Sequence, residues 1–396
     1  MASSPQTMAR ELLIFIMAGE PSGDALGARL MAALKRETNG AVRFAGIGGE
    51  RMASEGLRSL FPMEELSIMG LAEVLPRAPR VLQRVRETVA QIKRIRPAAV
   101  VSIDATGFCF RVEKRVKGLG IPLIHYVAPM VWAWRPWKAK LVAKFLDHLM
   151  TLLPFEPPYF EKEGLPATFV GHPVLEEGAD KGDGAAFRRR HGIPPDVPLL
   201  AVLPGSRHAE VSRLLPVFAE TLERLKAEFP SLRAVVATVG TVAGRVTAAA
   251  RHWPVPAVVV GGVAEKYDAF AAADAAIAAS GTVSLELSLA RCPMIIAYKV
   301  SPLTAWLLRH LFDIHVRFAT IVNILLDRGL IPELLQDDCR PDKLAEAVAV
   351  FLRDPAAGRA QADAAAAALR RLGLEGQAPS TRAARTVLEV IAARGG

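Results

Sequence analysis

Two turns in the second half of the chain carry residues suited to holding phosphate. In PGSRHAEV, a Pro204–Gly205 turn follows an apolar run and opens a helical pattern with Arg207 at its start. A helix N-terminus offers unpaired N–H groups and positive potential, and an arginine fork matches phosphate oxygens. Taken alone, Arg207 is equally an arginine that pairs with a surface carboxylate. In SGTVSLELSLARCP, the small residues Ser280, Gly281 and Thr282 turn into a second helical pattern. Glu286 falls one turn later, on the face that carries Thr282. A diphosphate at the turn leaves Glu286 to accept hydrogen bonds from a ribose diol. Alone, Glu286 reads better as a first-turn acid complementing the helix dipole. With both turns in one half, nucleotide binding becomes the better reading.

The first half offers acids and aromatics. VVSIDATGF puts Asp104 at a strand end, where a carboxylate can take a proton from an attacking hydroxyl; the competing role is a helix cap. In FIMAGEPSGD, Glu20 and Asp24 are expected to face the same cleft, with Ser22 and Gly23 supplying the turn. HYVAPMVWAWRPWKAK sets Trp132, Trp134 and Trp137 among Arg135, Lys138 and Lys140, a mixture suited to sugar or base stacking or to a membrane interface. From Pro76 to Arg96 seven basic residues accompany one acid, Glu87, while Val81, Leu82, Val85, Val89 and Ile92 recur at helical spacing. That pattern fits a helix on an anionic membrane and fits an ordinary surface helix equally well. SPLTAWLLRHLFDIHVRF, with Trp306, Leu307, Leu311 and Phe312 beside Arg309 and Arg317, is a second such segment.

Other chemistries lack their residues. There is no GxxxxGK[ST] and no clean GxGxxG, and no HExxH or cysteine cage supports a metal site. His125, His172, His208 and His315 are scattered and read as structural. Cys109, Cys292 and Cys339 form no CxxC pair and read as reduced, buried thiols. The net charge of +9 favours an anionic partner: phosphate, nucleic acid or an acidic membrane face. Nucleic acid is the weakest of these, because the basic residues cluster with apolar ones.

A chain of 396 residues suggests two domains. Apolar runs without alternation recur at Leu12–Ala18, Val42–Ile47, Ala99–Ile103, Pro122–Val127, Leu149–Leu153 and Thr168–Val170. They continue at Leu199–Leu203, Ala234–Ala237, Ala257–Val260, Ala275–Ala279 and Met294–Tyr298. Such runs mean strands buried on both faces, and the amphipathic segments between them mean crossover helices. The fold class is therefore α/β: two Rossmann-like, doubly wound parallel-sheet domains with a cleft between them. The expected division is 1–172, 173–365 and a helical tail, 366–396, that crosses back to the first domain. The N-terminal run lacks a basic n-region and an A-x-A site, so it reads as a first strand rather than a signal peptide. No uncharged run approaches the length of a spanning helix.

In this order and spacing, AGEPSGD, MEELSIMGLAEVL, HYVAPMVWAWR, LPFE, FVGHP, LPGSRHAEV and ASGTVSLE resemble the lipid-A-disaccharide synthase family, from residue 12 to about 337. The resemblance implies an inverting glycosyltransferase of the two-Rossmann, GT-B type. It implies UDP-2,3-diacylglucosamine as donor, 2,3-diacylglucosamine 1-phosphate as acceptor, UDP as product and no cofactor. It also implies work at the cytoplasmic face of the Gram-negative inner membrane; whether the chain forms a homodimer is left open. On this resemblance Glu20, Asp104 and Arg207 are catalytic, with Asp104 the general base. Ser280, Gly281, Thr282, Glu286 and Asn323 hold UDP. Where the family usually reads IDxPDFN this chain has IDATGFC, so Gly107 and Cys109 replace an acid and an Asn. Ala128 and Met130 stand where serines are common. Rivals are another GT-B enzyme, such as the transferase that adds N-acetylglucosamine to the peptidoglycan lipid, a UDP-N-acetylglucosamine 2-epimerase, or a non-catalytic protein that binds nucleotides or membranes.

Overall fold

The computed structural model describes residues 11–66, 71–134, 136–301 and 317–395, with side chains described except at 71–78, 134 and 395. Two sheets account for the strands among the described residues. The first contains β1 (Leu12–Ala18), β2 (Val42–Ile47), β3 (Ala99–Ile103), β4 (Leu123–Tyr126), β5 (His148–Thr151) and β6 (Ala167–Phe169). The second contains β7 (Leu199–Leu203), β8 (Arg233–Ala237), β9 (Ala257–Val260), β10 (Ala275–Ala278), β11 (Met294–Tyr298) and β12 (Glu333–Leu335). Every pairing is parallel, in the orders β2-β1-β3-β4-β5-β6 and β12-β11-β10-β7-β8-β9. The expected α/β class, with two doubly wound parallel sheets, is what the structure has. All eleven apolar runs became strands. The twelfth strand, β12, is three half-buried residues, ELL, too short to show as a run.

Strand order reverses between β1 and β3 in one sheet and between β7 and β10 in the other. At such a switch point the flanking crossovers depart to opposite faces and leave a crevice beyond the carboxyl ends of the strands. The loops that follow β1, β3, β7 and β10 are therefore where this fold makes room for ligands. They contain Glu20, Asp104, Arg207 and Ser280 respectively.

The chain divides into two compact units, one running to Pro173 and resuming at Gly376, the other Val174–Glu375. The first unit is thus discontinuous. Its final helix, Pro379–Gly395, places Ala383, Ala384 and Val387 in one apolar cluster with Leu26, Leu30, Met31 and Leu34 of the helix Pro21–Glu37. Arg385 adds a surface ion pair to Glu37 at 2.8 Å. The apolar faces carry this docking, since exposed pairs contribute about 0–1 kcal/mol.

Candidate functional site

The loop after β7 forms one wall of a pocket in the second unit. Gly205 has φ +102, a conformation that strains any residue with a Cβ, and an added Cβ would stand 2.7 Å from Glu210 Oε2. The chain then enters the helix His208–Glu228 with Arg207 as its N-cap. Glu210, at the third helical position, reaches back: Oε1 accepts from Arg207 Nη1 at 3.1 Å and Oε2 from Arg207 N at 3.4 Å. Tyr298 also donates to Glu210, at 3.2 Å. The Arg207 side chain remains 72% exposed, anchored through Nη1.

The opposite wall comes from Ser280–Gly281–Thr282 after β10. Gly281 has φ +145 and no heavy atom within 4 Å of the place a Cβ would take, so the backbone there lies bare. The pocket has a volume of about 420 Å³ and includes Gly205, Arg207, Lys266, Ser280, Gly281 and Glu286 in its lining. N–H groups of a long helix's first turn, a guanidinium and an ammonium are the donors it offers a diphosphate. Two acids also line it, Glu210, paired with Arg207, and Glu286. Lys266 Nζ donates to both oxygens of Glu286 at 2.9 Å. Burial raises the Glu286 pKa, Lys266 opposes this, and Glu177 adds to it. Tyr267 in turn donates to Glu177 at 3.2 Å. Sequence reasoning missed Lys266, Tyr267 and Glu177, which sit in stretches with no motif.

Asn323 is placed differently from Ser280–Thr282 and Glu286. It is fully buried, and its carboxamide is committed: Nδ2 donates to Ile331 O and Glu333 Oε1, and Oδ1 accepts from Ile331 N. In this arrangement it does not line the pocket. Glu333 also accepts from the amides of Ala319 and Thr320, and Ser280 Oγ donates to Ala319 O at 3.3 Å. Asn323 therefore braces the segment on which the Ser280 turn leans.

In the first unit a pocket of about 500 Å³ lies beyond β1 and β3, and Glu20, Asp104, Gly107 and Arg111 line it with Leu66, Val81, Leu82 and Phe108. Asp104 and Ala105 have φ of +47 and +42, two successive left-handed residues that are not glycine. Each such residue costs on the order of 1–2 kcal/mol, so surrounding contacts must hold the kink. One is Asp104 N donating to Tyr126 O on β4 at 2.9 Å. Gly19 makes room for another, because an added Cβ there would meet Ala105 Cβ at 2.8 Å. Glu20 stands exposed on the facing loop. The pocket thus joins two carboxylates to an apolar wall.

Two expectations need correction. Asp24 does not face this pocket: its carboxylate is buried and accepts from Gly49 N, Arg51 N and Met52 N at 2.7, 3.0 and 3.1 Å. It caps the short helix Glu50–Ser54, where N–H groups and dipole both favour an anion. The stripe Val85, Val89, Ile92 on the helix Leu71–Ile95 packs into the unit's own core, so a membrane has no claim on that face. Val81 also packs partly against this core, exposed Leu82 lies with it at the pocket, and Arg80 and Arg84 are tied to Glu65, whose pKa they lower to about 2. Of the tryptophans, Trp132 is held by a 3.1 Å bond to the buried Glu156 and by Phe155 edge-on, whereas Trp137 is exposed. The Trp134 side chain, Arg135 and the segment Trp306–Phe312 lie outside the described residues.

The profile of the lipid-A-disaccharide synthetase family matches residues 14–386. The chain belongs to this family. The lipid-A-disaccharide synthase of Rhodospirillum centenum is 59% identical over 97% of this chain and 96% of its own. That of Paramagnetospirillum magneticum is 56% identical, covering 96% and 98%. Membership makes the chain a glycosyltransferase of lipid A biosynthesis, with a UDP-sugar donor and a lipid acceptor. Among solved structures, Staphylococcus aureus MnaA with UDP superposes at TM-score 0.63, 12% identity and 95% and 94% coverage. Acinetobacter baumannii MurG does so at 0.55, 16% identity and 96% and 99% coverage. At these identities the likeness shows the fold, here that of GT-B glycosyltransferases and epimerases. Among the described residues no helix is long and apolar enough to cross a membrane.

Proposed function

We propose that the chain joins UDP-2,3-diacylglucosamine to the 6-hydroxyl of 2,3-diacylglucosamine 1-phosphate by a single inverting displacement. The observation that carries the residue roles is the contrast between the two switch-point pockets, one offering a guanidinium, an ammonium and helix N–H groups, the other setting Asp104 and Glu20 beside an apolar wall. Asp104 takes the proton of the acceptor hydroxyl as its oxygen bonds to the donor's anomeric carbon. The bond from that carbon to the diphosphate breaks, and UDP leaves with the electron pair. Arg207 and the first-turn N–H groups of His208–Glu228 meet the charge that grows on the diphosphate. The bare backbone at Ser280–Thr282 lets the phosphates approach, and Glu286 accepts from the ribose hydroxyls. Asn323 supports that turn from behind.

On the acceptor side Glu20 binds sugar hydroxyls, and Leu66, Val81 and Leu82 lie along the first carbons of the acyl chains. Acylated substrates reside in a bilayer, and we place the enzyme on the cytoplasmic face of the inner membrane. The basic residues Arg86, Lys93 and Arg94, exposed on the same helix as Leu82, support that placement. The test is UDP release from the diacylglucosamine donor in detergent micelles, with and without the 1-phosphate acceptor, each repeated in EDTA. Release that needs the acceptor and survives EDTA is expected. Donor binding without acceptor-dependent release overturns the reading.

A further inference from the structure

A buried polar chain lies behind the kink that carries Asp104. Ser102, Glu113 and His125 are each 0% exposed. Ser102 Oγ donates to Glu113 Oε1 and stands 2.6 Å from His125 Nδ1. The carboxylate and the imidazole are 3.7 Å apart, so the hydroxyl bridges them. A hydroxyl has one hydrogen. Since it is given to Glu113, His125 Nδ1 must carry the hydrogen of the second bond. The chain therefore reads His125 to Ser102 to Glu113 and fixes the imidazole tautomer. Glu113 Oε2 and His125 Nε2 are buried with no partner among the described residues. The site thus keeps a carboxylate and an imidazole in the core without satisfying them fully, which is costly for structure alone.

The positions of the three residues give the chain a use. Ser102 is on β3, two residues before Asp104. His125 is on β4, next to Tyr126, whose carbonyl takes the Asp104 N–H. Glu113 is on the helix Thr106–Val116, which starts directly after Ala105. These are the three segments that meet at the left-handed pair Asp104–Ala105. Phe110 packs on the His125 ring at 4.8 Å, closing the cluster from the helix side. The buried Cys109 lies on the same helix, one turn before Glu113.

We infer that the buried chain His125–Ser102–Glu113 holds the Asp104 kink in place, making Ser102, Glu113 and His125 positioning residues for the proton transfer. The inference rests on the proposed role of Asp104. A misplacement of about 1 Å can cost roughly 100-fold in rate, so loosening the kink should be read in turnover before donor binding.

The experiment is a double-mutant cycle with Ser102→Ala and Asp104→Asn, read as kcat and as KM for the UDP donor, with single-turnover runs at excess enzyme for the slow variants. Ser102→Ala is expected to lower kcat about 10- to 50-fold with donor KM unchanged. In the Asp104→Asn background the same change should matter less than about two-fold, since residues acting as a unit are not additive. If Ser102→Ala does not fold, Glu113→Gln takes its place in the cycle; it keeps an acceptor oxygen for the hydroxyl and removes the buried charge. Ser102→Thr, which retains the hydroxyl, should recover most of the rate. A folded Ser102→Ala with kcat within two-fold of the parent overturns the inference. So does an equal loss in both backgrounds, which would mark the cluster as support for the fold in general. If Asp104→Asn itself turns over normally, the proposed base fails and this inference falls with it. If Asp104→Asn is crippled and the effects are additive, only this inference falls.

Discussion

The pocket beyond β7 and β10 and the pocket beyond β1 and β3 occupy the same topological place in two parallel sheets. Their linings differ in what they offer a ligand. One pairs each of its two carboxylates with a cation, Glu210 with Arg207 and Glu286 with Lys266, beside helix N–H groups, and the other sets Glu20, Asp104 and Arg111 beside Leu66, Val81 and Leu82. Strand order sets where a crevice forms, and the few residues after each strand set what it binds. The local devices differ as well. The second unit opens its loops with glycines, Gly205 and Gly281, whereas the first bends through Asp104 and Ala105 and supports the bend with buried contacts. A glycine hinge brings backbone close to a polyanion. A bend through a non-glycine residue aims a side chain.

This contrast predicts that damage to one pocket leaves the substrate of the other untouched. Asp104→Asn should show the largest effect, a kcat loss of about 10²–10⁴-fold with donor KM unchanged in steady-state assays. A matching loss of UDP affinity by calorimetry would break the assignment. Arg207→Ala should come next, with kcat/KM for the donor down about 10²–10³-fold and acceptor KM held. The reverse pattern, a raised acceptor KM with normal UDP binding, would exchange the roles of the two pockets.

The smallest effect concerns stability and belongs to the first unit alone. Burial lowers the His172 pKa from 6.5 to about 4. The unfolded chain then binds the extra proton between those values, so stability falls as pH drops from 6.5 towards 4. Burial raises the Glu156 pKa from 4.5 to about 7, against the N–H groups of Leu152, Leu153 and Trp132 that it accepts from. There the folded chain holds the extra proton, so stability falls as pH rises from 4.5 to 7. Each contribution is about 3 kcal/mol, and between pH 4.5 and 6.5 the two oppose each other. Denaturant midpoints of the parent should be nearly flat across that window. His172→Asn should make them fall with rising pH, and Glu156→Gln should make them rise. A steep parent profile would show that one of the two groups titrates elsewhere.

Much of this architecture was legible in the sequence because strands buried on both faces are continuous apolar runs, and eleven of them could be read directly. The switch-point loops were legible because PGSR, SGT and IDAT break such runs with residues that have no place in a core. Asp24 misled because its partners, the amides of Gly49, Arg51 and Met52, lie 25 or more residues away and leave no local trace. The basic helix misled because a stripe such as Val85–Val89–Ile92 looks the same whether it meets a sheet or a bilayer. Asn323 was found by its setting in the family, yet that setting does not separate touching a ligand from bracing the loop that touches it. Ser102, Glu113 and His125 were invisible for a simpler reason: each is ordinary in its own segment, and only the pairing of β3 with β4 brings them together.

The last helix of the first unit, Pro379–Gly395, leaves the ribosome after the entire second unit has been made. At about 5–20 residues per second, roughly 200 intervening residues occupy roughly 10–40 s. Through that interval the nascent first sheet has its strands but not its cover, and Leu30, Met31 and Leu34 lack the surface they will pack against. Folding from the N-terminus is thus left unfinished until the second unit has been made. A chain cut short after Glu375 would keep every residue of both pockets and still expose a greasy seam to chaperones and proteases.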